Sequence, residues 1–198
     1  MPDARTIATY DKKAADYARR FGADKPDASL QAFINLVPQG GRVLDLGCGP
    51  ATASAHMRAA GLLPDPIDAS PGMVKIANDT HDINARVATF DDISEEAVYD
   101  GVWANFSLLH APRADLPRYF AALAGALRPD GVLHVGMKTG SGAARDAMDR
   151  FYTYVSVQEL HALIAATGLT VTDVKEGEEV GLAGTKDPFV LMRARKDA

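Results

Sequence analysis

Cysteine is nearly absent: Cys48 is the only one in 198 residues. No intramolecular disulfide can form, and no cysteine-based zinc cluster either. A single thiol suits a reducing compartment, so the expected location is cytoplasmic. Positive charge is also short. Lys and Arg number 21 against 26 Asp and Glu, a formal net charge of -5. The basic stripe that marks binding to nucleic acid or an anionic membrane is therefore not expected. No apolar run is long enough to span a bilayer. The first twenty residues carry charges throughout and no apolar stretch, so they do not read as a secretory signal. Repeats and low-complexity segments are missing. What remains is 47% hydrophobic and 24% charged, the balance of an ordinary globular protein. The length predicts a single domain over 1–198, with a core that needs no disulfide or metal. The expected partner is a small molecule rather than nucleic acid or membrane, and the chain is expected to be a monomer or homodimer.

Apolar spacing predicts a helix over 6–21, with Ile7, Tyr10, Ala14, Tyr17, Ala18 and Phe21 in its stripe, and a second helix from Pro26 to about Val37. Arg42-Val43-Leu44-Asp45-Leu46-Gly47 reads as a buried parallel strand. A helix over 51–60, a weak strand over 65–69, and a helix opened by Ser70-Pro71 follow. Strands are expected at 85–90, 99–105 and 131–138, with a helix over 114–127 between the last two. A Gly-, Ser- and Arg-bearing stretch from 139 to 150 suits a loop that moves. A helix capped by Ser156 and two final strands, 169–175 and 188–195, complete the order. Strands alternating with helices predict a Rossmann-like, doubly wound α/β fold: a seven-stranded, mostly parallel sheet with helices on both faces. The last two strands, joined by a short glycine-containing loop, are expected to be antiparallel neighbours.

The most informative segment is Val43-Leu44-Asp45-Leu46-Gly47-Cys48-Gly49-Pro50, where the first strand meets a helix. Ligands of open α/β sheets bind beyond the carboxyl ends of strands. Two glycines there permit a tight turn and close contact with the backbone. Asp68 ends the second strand, 19 positions past Gly49, about where a nucleotide site places an acid for ribose hydroxyls. An aspartate there also serves as a turn residue or helix cap, but glycine pair and acid together, in this order, favour a nucleotide-type ligand.

With these residues in hand, DLGCGPAT followed by IDASPGM resembles the cofactor motifs of class I S-adenosylmethionine-dependent methyltransferases. The dinucleotide pattern G-x-G-x-x-G is missing, since Pro50, Ala51 and Thr52 follow Gly49. The resemblance implies S-adenosylmethionine as cofactor and S-adenosylhomocysteine as product. It implies cofactor contacts from Asp45, Gly47, Cys48, Gly49, Asp68, Ala69 and Met73, with Asp45 suited to the methionine ammonium. Ala88-Thr89-Phe90-Asp91-Asp92 falls where the family's third strand ends, which implies adenine contacts from the Phe90 backbone and the Asp91 side chain. Asn105 ends the segment similar to the fourth strand, and Tyr10 and Tyr17 stand where the family's N-terminal helices cover the cofactor, here within 1–40. Leu127-Arg128-Pro129-Asp130-Gly131 is similar to the family's L-[KR]-P-G-G turn, with Asp130 in place of a glycine, and Ala51 stands where many members have a third loop glycine. A closer likeness is to small bacterial members of tellurite-resistance type, which share YDGVWA-x-x-SLLH-x-P.

Methyl transfer from a sulfonium is an in-line displacement, so positioning and electrostatics carry much of the catalysis. His110, after the fourth strand, is the candidate base; packing against the 114–127 helix explains it equally well. Lys138 and Arg150 are candidates to hold an anionic acceptor, and Tyr152 to wall its pocket. A helix start beside Cys48 can lower a thiol pKa, but no histidine pairs with it, so Cys48 reads as a small loop residue whose backbone contacts the cofactor. His56, His81, His134 and His161 are scattered, so no metal is expected. The expected activity is methyl transfer to a small molecule. The alternatives are cofactor binding without catalysis and a nicotinamide-dependent oxidoreductase; methylation of nucleic acid or protein lacks a basic surface and a recognition domain.

Overall fold

The computed structural model describes residues 3–22 and 24–198, and of Phe21 only the backbone. The place of Phe21 in the apolar stripe thus lies outside the described residues. Helix α1 (Ala4–Phe21) starts at Asp3, whose side chain accepts from the Thr6 amide. Helix α2 (Ala28–Ile34) is capped in the same way by Asp27. Then come β1 (Arg42–Leu46), α3 (Thr52–Ala59), β2 (Leu63–Asp68), α4 (Pro71–His81) and β3 (Arg86–Val87). Next are β4 (Tyr99–Asn105), α5 (Leu116–Ala126) and β5 (Leu127–Lys138). A small hairpin of β6 (Ala143–Arg145) and β7 (Phe151–Thr153) precedes α6 (Val157–Ala165), β8 (Leu169–Val180) and β9 (Lys186–Lys196).

Seven strands form one sheet in the order β3-β2-β1-β4-β5-β9-β8. All pairs from β3 to β5 are parallel, and β9 lies antiparallel between β5 and β8. The expected doubly wound sheet with an antiparallel last strand is the fold of the chain. Strand order reverses between β1 and β4, and the crevice there is where such sheets bind ligands.

Several boundaries differ from the reading of the sequence. The strand expected over 85–90 is cut to two residues by a capping box: the Thr89 side chain accepts from Asp91, and Asp92 accepts from the Thr89 amide at 2.8 Å. Arg128-Pro129-Asp130-Gly131, expected to close a helix, lies within β5. Asp130 there has φ 64°, the left-handed conformation that the replaced glycine would adopt freely and that Asp tolerates better than most residues. Part of the 139–150 stretch is the strand β6, paired with β7. Among the described residues, no helix is long and apolar enough to cross a membrane.

Side chains alternate across the strands. Leu44 and Leu46 of β1, Val102 and Ala104 of β4, and Leu133, Val135 and Met137 of β5 face one side, where they pack with Tyr119, Phe120 and Leu123 of α5. Val43, Trp103 and Val132 face the other, against Leu30, Phe33 and Met57 of α2 and α3. The polar residues Asp45, Asn105, His134 and Lys138 sit in register with this second set. The period of two therefore carries them to one face, and the carboxyl ends of β1, β4 and β5 gather them at the switch point.

Candidate active site

The glycine turn is held from below. The Gly47 and Cys48 amides both donate to Ile67 O at 2.9 Å. Gly47, Gly49 and Ala51 have φ of 72°, 54° and 58°. Ala51 thus occupies, at a steric cost of about 1–2 kcal/mol, the left-handed conformation suited to the glycine it replaces. Asp68 is the clamp: its Oδ2 accepts from the Gly49 amide and its Oδ1 from the Ser70 amide, both at 2.8 Å. Each oxygen keeps acceptor capacity for a ligand hydroxyl. Burial pushes the Asp68 pKa up against the pull of these two amides.

Asp45 is 2% exposed, and the Ser54 hydroxyl donates to its Oδ2 at 2.7 Å. Burial, with the neighbouring Asp68 charge adding to it, pushes the carboxyl pKa up to about 7. A buried carboxylate at the rim of a glycine turn is a place that a cation would relieve.

At the end of β4, Asn105 Oδ1 lies 3.1 Å from His134 Nε2. An amide oxygen only accepts, so Nε2 carries the proton. The His134 ring stacks on Trp103 with centroids 3.8 Å apart, and burial lowers its pKa to about 3. His134 thereby orients Asn105, with the amide nitrogen on the opposite side of the group. Phe106, next in the chain, has φ 56°, strained for a bulky residue, as backbone at ligand sites often is. Ser107 Oγ is buried and has no hydrogen-bond partner among the described residues.

Helix α1 roofs the crevice. Asp11 accepts from the Ser70 hydroxyl at 2.5 Å and from the Gly72 amide at 2.8 Å. The Tyr17 ring would meet a Cβ built on Gly49 at 3.7 Å. Tyr10 Oη lies 2.8 Å from His110 Nε2, and His110 Nδ1 lies 2.6 Å from Phe151 O. The carbonyl can only accept, so Nδ1 bears the hydrogen, and Tyr10 donates its own to Nε2. Burial lowers the His110 pKa to about 4. Arg150, 3% exposed, pairs with Asp146 at 2.6 Å and donates to Tyr10 Oη at 3.1 Å.

Two adjoining cavities lie under this roof. The smaller, about 100 Å³, is lined by Asp68, Ala69, Met73 and Phe90. The larger, about 520 Å³, is lined by Asp45, Cys48, Lys138, Arg150 and Tyr152. Tyr10, Tyr17, Gly47, Gly49, Asn105 and His110 line both. The structure thus brings together every residue singled out from the sequence except Asp91. The Asp91 side chain accepts from Arg118 at 2.6 Å and from the Tyr119 hydroxyl at 3.0 Å, which turns it toward α5. Burial raises the Cys48 thiol pKa, as suits a small loop residue rather than a reactive thiol. Lys138 Nζ is paired with Asp187 at 2.5 Å and sits 4.1 Å from the centre of the Tyr152 ring. Phe106, Phe189 and Leu191, which wall the larger cavity, escaped the sequence reading, as did Asp11. Their alternation marks them as core or loop, and only the fold puts them at the crevice. Among the described residues, no three His, Cys, Asp or Glu side chains converge to hold a metal.

A doubly wound sheet with this strand order, a glycine turn after β1 and an acid at the end of β2 defines a nucleotide-cofactor domain. The sequence signature of the methyltransferase-domain family matches residues 43–131, from β1 to the turn before the core of β5. The ubiquinone biosynthesis O-methyltransferase of Xanthomonas axonopodis pv. citri is 32% identical over 151 residues, 68% of this chain and 62% of the relative's own length. Among solved structures, the 1,6-didemethyltoxoflavin-N1-methyltransferase of Burkholderia thailandensis, with S-adenosylhomocysteine bound, superposes with a TM-score of 0.74. It is 21% identical, over 98% of this chain and 88% of that one. The [4+2]-cyclase SpnF superposes with a TM-score of 0.73 at 16% identity, over 100% and 97%. The chain belongs to the class I S-adenosylmethionine-dependent methyltransferases.

Proposed function

We propose that the chain transfers a methyl group from S-adenosylmethionine to a hydroxyl or ring nitrogen of a flat small molecule. The observation that carries this reading is the Asp68 clamp: a carboxylate tied by one oxygen to the Gly49 amide and by the other to the Ser70 amide, at the floor of the smaller cavity. Adenosine belongs there, with Asp68 accepting from the ribose hydroxyls and Ser107 Oγ, otherwise without a partner, satisfied by the ligand. The methionine end then reaches past Gly47 and Gly49 to Asp45, whose unrelieved charge suits an ammonium. Adenine contact falls to the Phe90 backbone, with Asp91 engaged elsewhere.

When bound, the cofactor supplies a methyl group already activated by a positive sulfur. The protein positions the acceptor and takes its proton. Tyr152, Phe106 and Phe189 wall the larger cavity, which supports a planar acceptor; the likeness to a ubiquinone biosynthesis O-methyltransferase supports a hydroxyl. Arg150 and Lys138 supply positive potential at its rim, although each is already paired. His110, neutral above about pH 4, is the base. Because the chain spans 62% of the relative's length, the same acceptor is not implied. Residues 1–198 serve as one unit with α1 as the cover, and the lone thiol supports work in the reducing cytoplasm.

Calorimetric titration with S-adenosylmethionine, S-adenosylhomocysteine and NAD tests the cofactor. Micromolar binding of both adenosyl ligands is expected, with none for NAD. In Asp68→Ala the affinity drops about 10- to 150-fold, the equivalent of a lost hydrogen bond to a charged group of about 1.5–3 kcal/mol. NAD binding in place of the adenosyl ligands overturns the reading in favour of an oxidoreductase. Transfer of labelled methyl from S-adenosylmethionine to a panel of phenols and nitrogen heterocycles then tests the acceptor.

A further inference from the structure

The hydrogen bonds around His110 leave no room for the acceptor at the nitrogen expected to act as base. Nδ1–H is spent on Phe151 O at 2.6 Å, and Nε2 already accepts the Tyr10 hydroxyl at 2.8 Å. A neutral imidazole has one acceptor site, and here it is filled. The Tyr10 oxygen has two lone pairs. One accepts from Arg150 Nη1 at 3.1 Å; the other faces the Tyr152 hydroxyl across the cavity that Tyr10, Tyr152 and His110 all line, where an acceptor hydroxyl or N–H would take the place of Tyr152. From this geometry we infer that Tyr10 is the catalytic residue that meets the acceptor, and that His110 receives the proton through it.

The inference rests on the methyl-transfer reading and names the atoms of its proton step. The acceptor's O–H or N–H bond breaks and its proton joins Tyr10 Oη. The Tyr10 proton moves to His110 Nε2, leaving an imidazolium. The acceptor's freed electron pair forms the bond to the incoming methyl carbon, whose old bonding pair stays on sulfur. Tyr10 ends as a neutral phenol, so no phenolate persists. Arg150 steadies the oxygen while charge passes through it, since its guanidinium faces the Tyr10 ring from 5.4 Å and is itself fixed by Asp146. Phe151 O holds the imidazole in the one tautomer able to accept at Nε2. Phe151, Arg150 and Asp146 belong to a single short segment beside β7, and α1 brings Tyr10 to it through Thr6, whose hydroxyl accepts from the Phe151 amide at 2.8 Å. The seating of α1 against this segment therefore completes the proton path.

Nitrogen-15 histidine spectra of the wild type and Tyr10→Phe, without ligand and with S-adenosylhomocysteine, read the pair without any acceptor. The charged groups facing it are Arg150 and Asp146 beside β7, Lys138 from β5 and Asp68 from β2. All of them remain in the variant, as does the aromatic ring, so packing is kept. The wild type is expected to show protonated Nδ1 and bare Nε2 on His110. Tyr10→Phe keeps this tautomer but titrates at higher pH, because the bond that favoured the neutral ring is gone. A proton on Nε2, or spectra and titration unmoved by Tyr10→Phe, overturns the inference. With an acceptor from the panel, single-turnover methyl transfer in Tyr10→Phe is expected to fall about 100- to 10,000-fold, the range of general acid–base catalysis. S-adenosylhomocysteine affinity should change by less than about threefold, well under the cost of one hydrogen bond. A variant that keeps most of its rate also overturns it. Failure of the adenosyl ligand to bind the wild type strikes the functional reading instead, since the histidine spectra are read without it.

Discussion

At pH 8, Asp45→Asn is more stable than the parent protein by about 2–4 kcal/mol, and the difference is gone by pH 4. The sign follows from where the proton sits. The Asp45 pKa is about 7 in the fold against 3.8 for the free side chain. Between those values the folded protein holds a proton that the unfolded chain has released. Stability therefore falls as pH rises from about 4 to about 7 and is flat beyond. The full interval corresponds to about 4 kcal/mol at 1.36 kcal/mol per unit, the cost of ionising a carboxyl shut away from water. Asparagine removes that charge while its side-chain oxygen still accepts from Ser54. Urea unfolding of both proteins at pH 4, 6 and 8 measures the gap. A gap that is constant across pH would show that Asp45 is ionised without penalty. Ligand affinity moves the other way. On the reading above, the variant binds S-adenosylmethionine at least about tenfold more weakly, because the methionine ammonium loses a charged partner worth more than about 1.4 kcal/mol. Stability given up at a site and recovered on binding is the usual balance in proteins that work through a strained residue.

Gly47→Ala is expected to lose about 2–5 kcal/mol of folding stability and all measurable binding of the adenosyl ligands. Two effects add. The backbone φ of 72° is left-handed, where a Cβ costs about 1–2 kcal/mol. That Cβ would also sit 2.4 Å from the Ser107 Cβ, a distance that no rotamer relieves because the backbone alone fixes both Cβ atoms. Overpacking of this kind costs about 1–3 kcal/mol more. The only way out is to part the β1 turn from the β4 turn, and these are the two edges of the crevice. Thermal unfolding and calorimetry on the variant decide the matter, with Gly142→Ala as the control. Gly142 also has a positive φ, 72°, but no atom lies within 4 Å of its would-be Cβ, so it should lose only the backbone part and leave ligand affinity alone. Equal losses at the two positions would mean that the contact with Ser107 is of no consequence.

The sheet was legible because a buried parallel strand is written as a short apolar run. Val43 to Leu46 and Val102 to Ala104 stand out without knowledge of their neighbours. The glycine turn and Asp68 were legible because a turn of this shape needs residues without a Cβ, and because the acid has to follow one crossover later. What sequence periodicity cannot carry is direction. Asp68 ends one parallel strand and Asp91 follows another, yet Asp68 is drawn inward by two amides, whereas Asp91 is drawn outward by Arg118 and Tyr119 from a helix 25 residues downstream. The brevity of β3 has a local cause, the Thr89 and Asp92 capping box, which was open to reading as Thr-x-x-Asp. Asp130 and Ala51 depart from the family motifs while keeping the backbone of the glycines they replace, which is why the motifs remain recognisable. The pairing of Tyr10 with His110 spans a hundred positions and depends on how α1 lies across the sheet, which no local pattern encodes.

The position of β9 has a consequence for how the chain is made. It follows β8 in sequence yet lies between β8 and β5, so β8 has no place to dock until β9 has been synthesised and threaded beside β5. Chains emerge from the ribosome at about 5–20 residues per second, and N-terminal parts organise first. During that interval β5 presents an open edge and Lys138 waits for Asp187, which arrives with β9. The half of the molecule that holds the glycine turn and Asp68 can thus take shape on the ribosome, while the wall of the larger cavity is the last part to be built. Truncating synthesis before residue 186 would leave a nascent protein with the floor of the smaller cavity but without the Phe189 and Leu191 wall of the larger one.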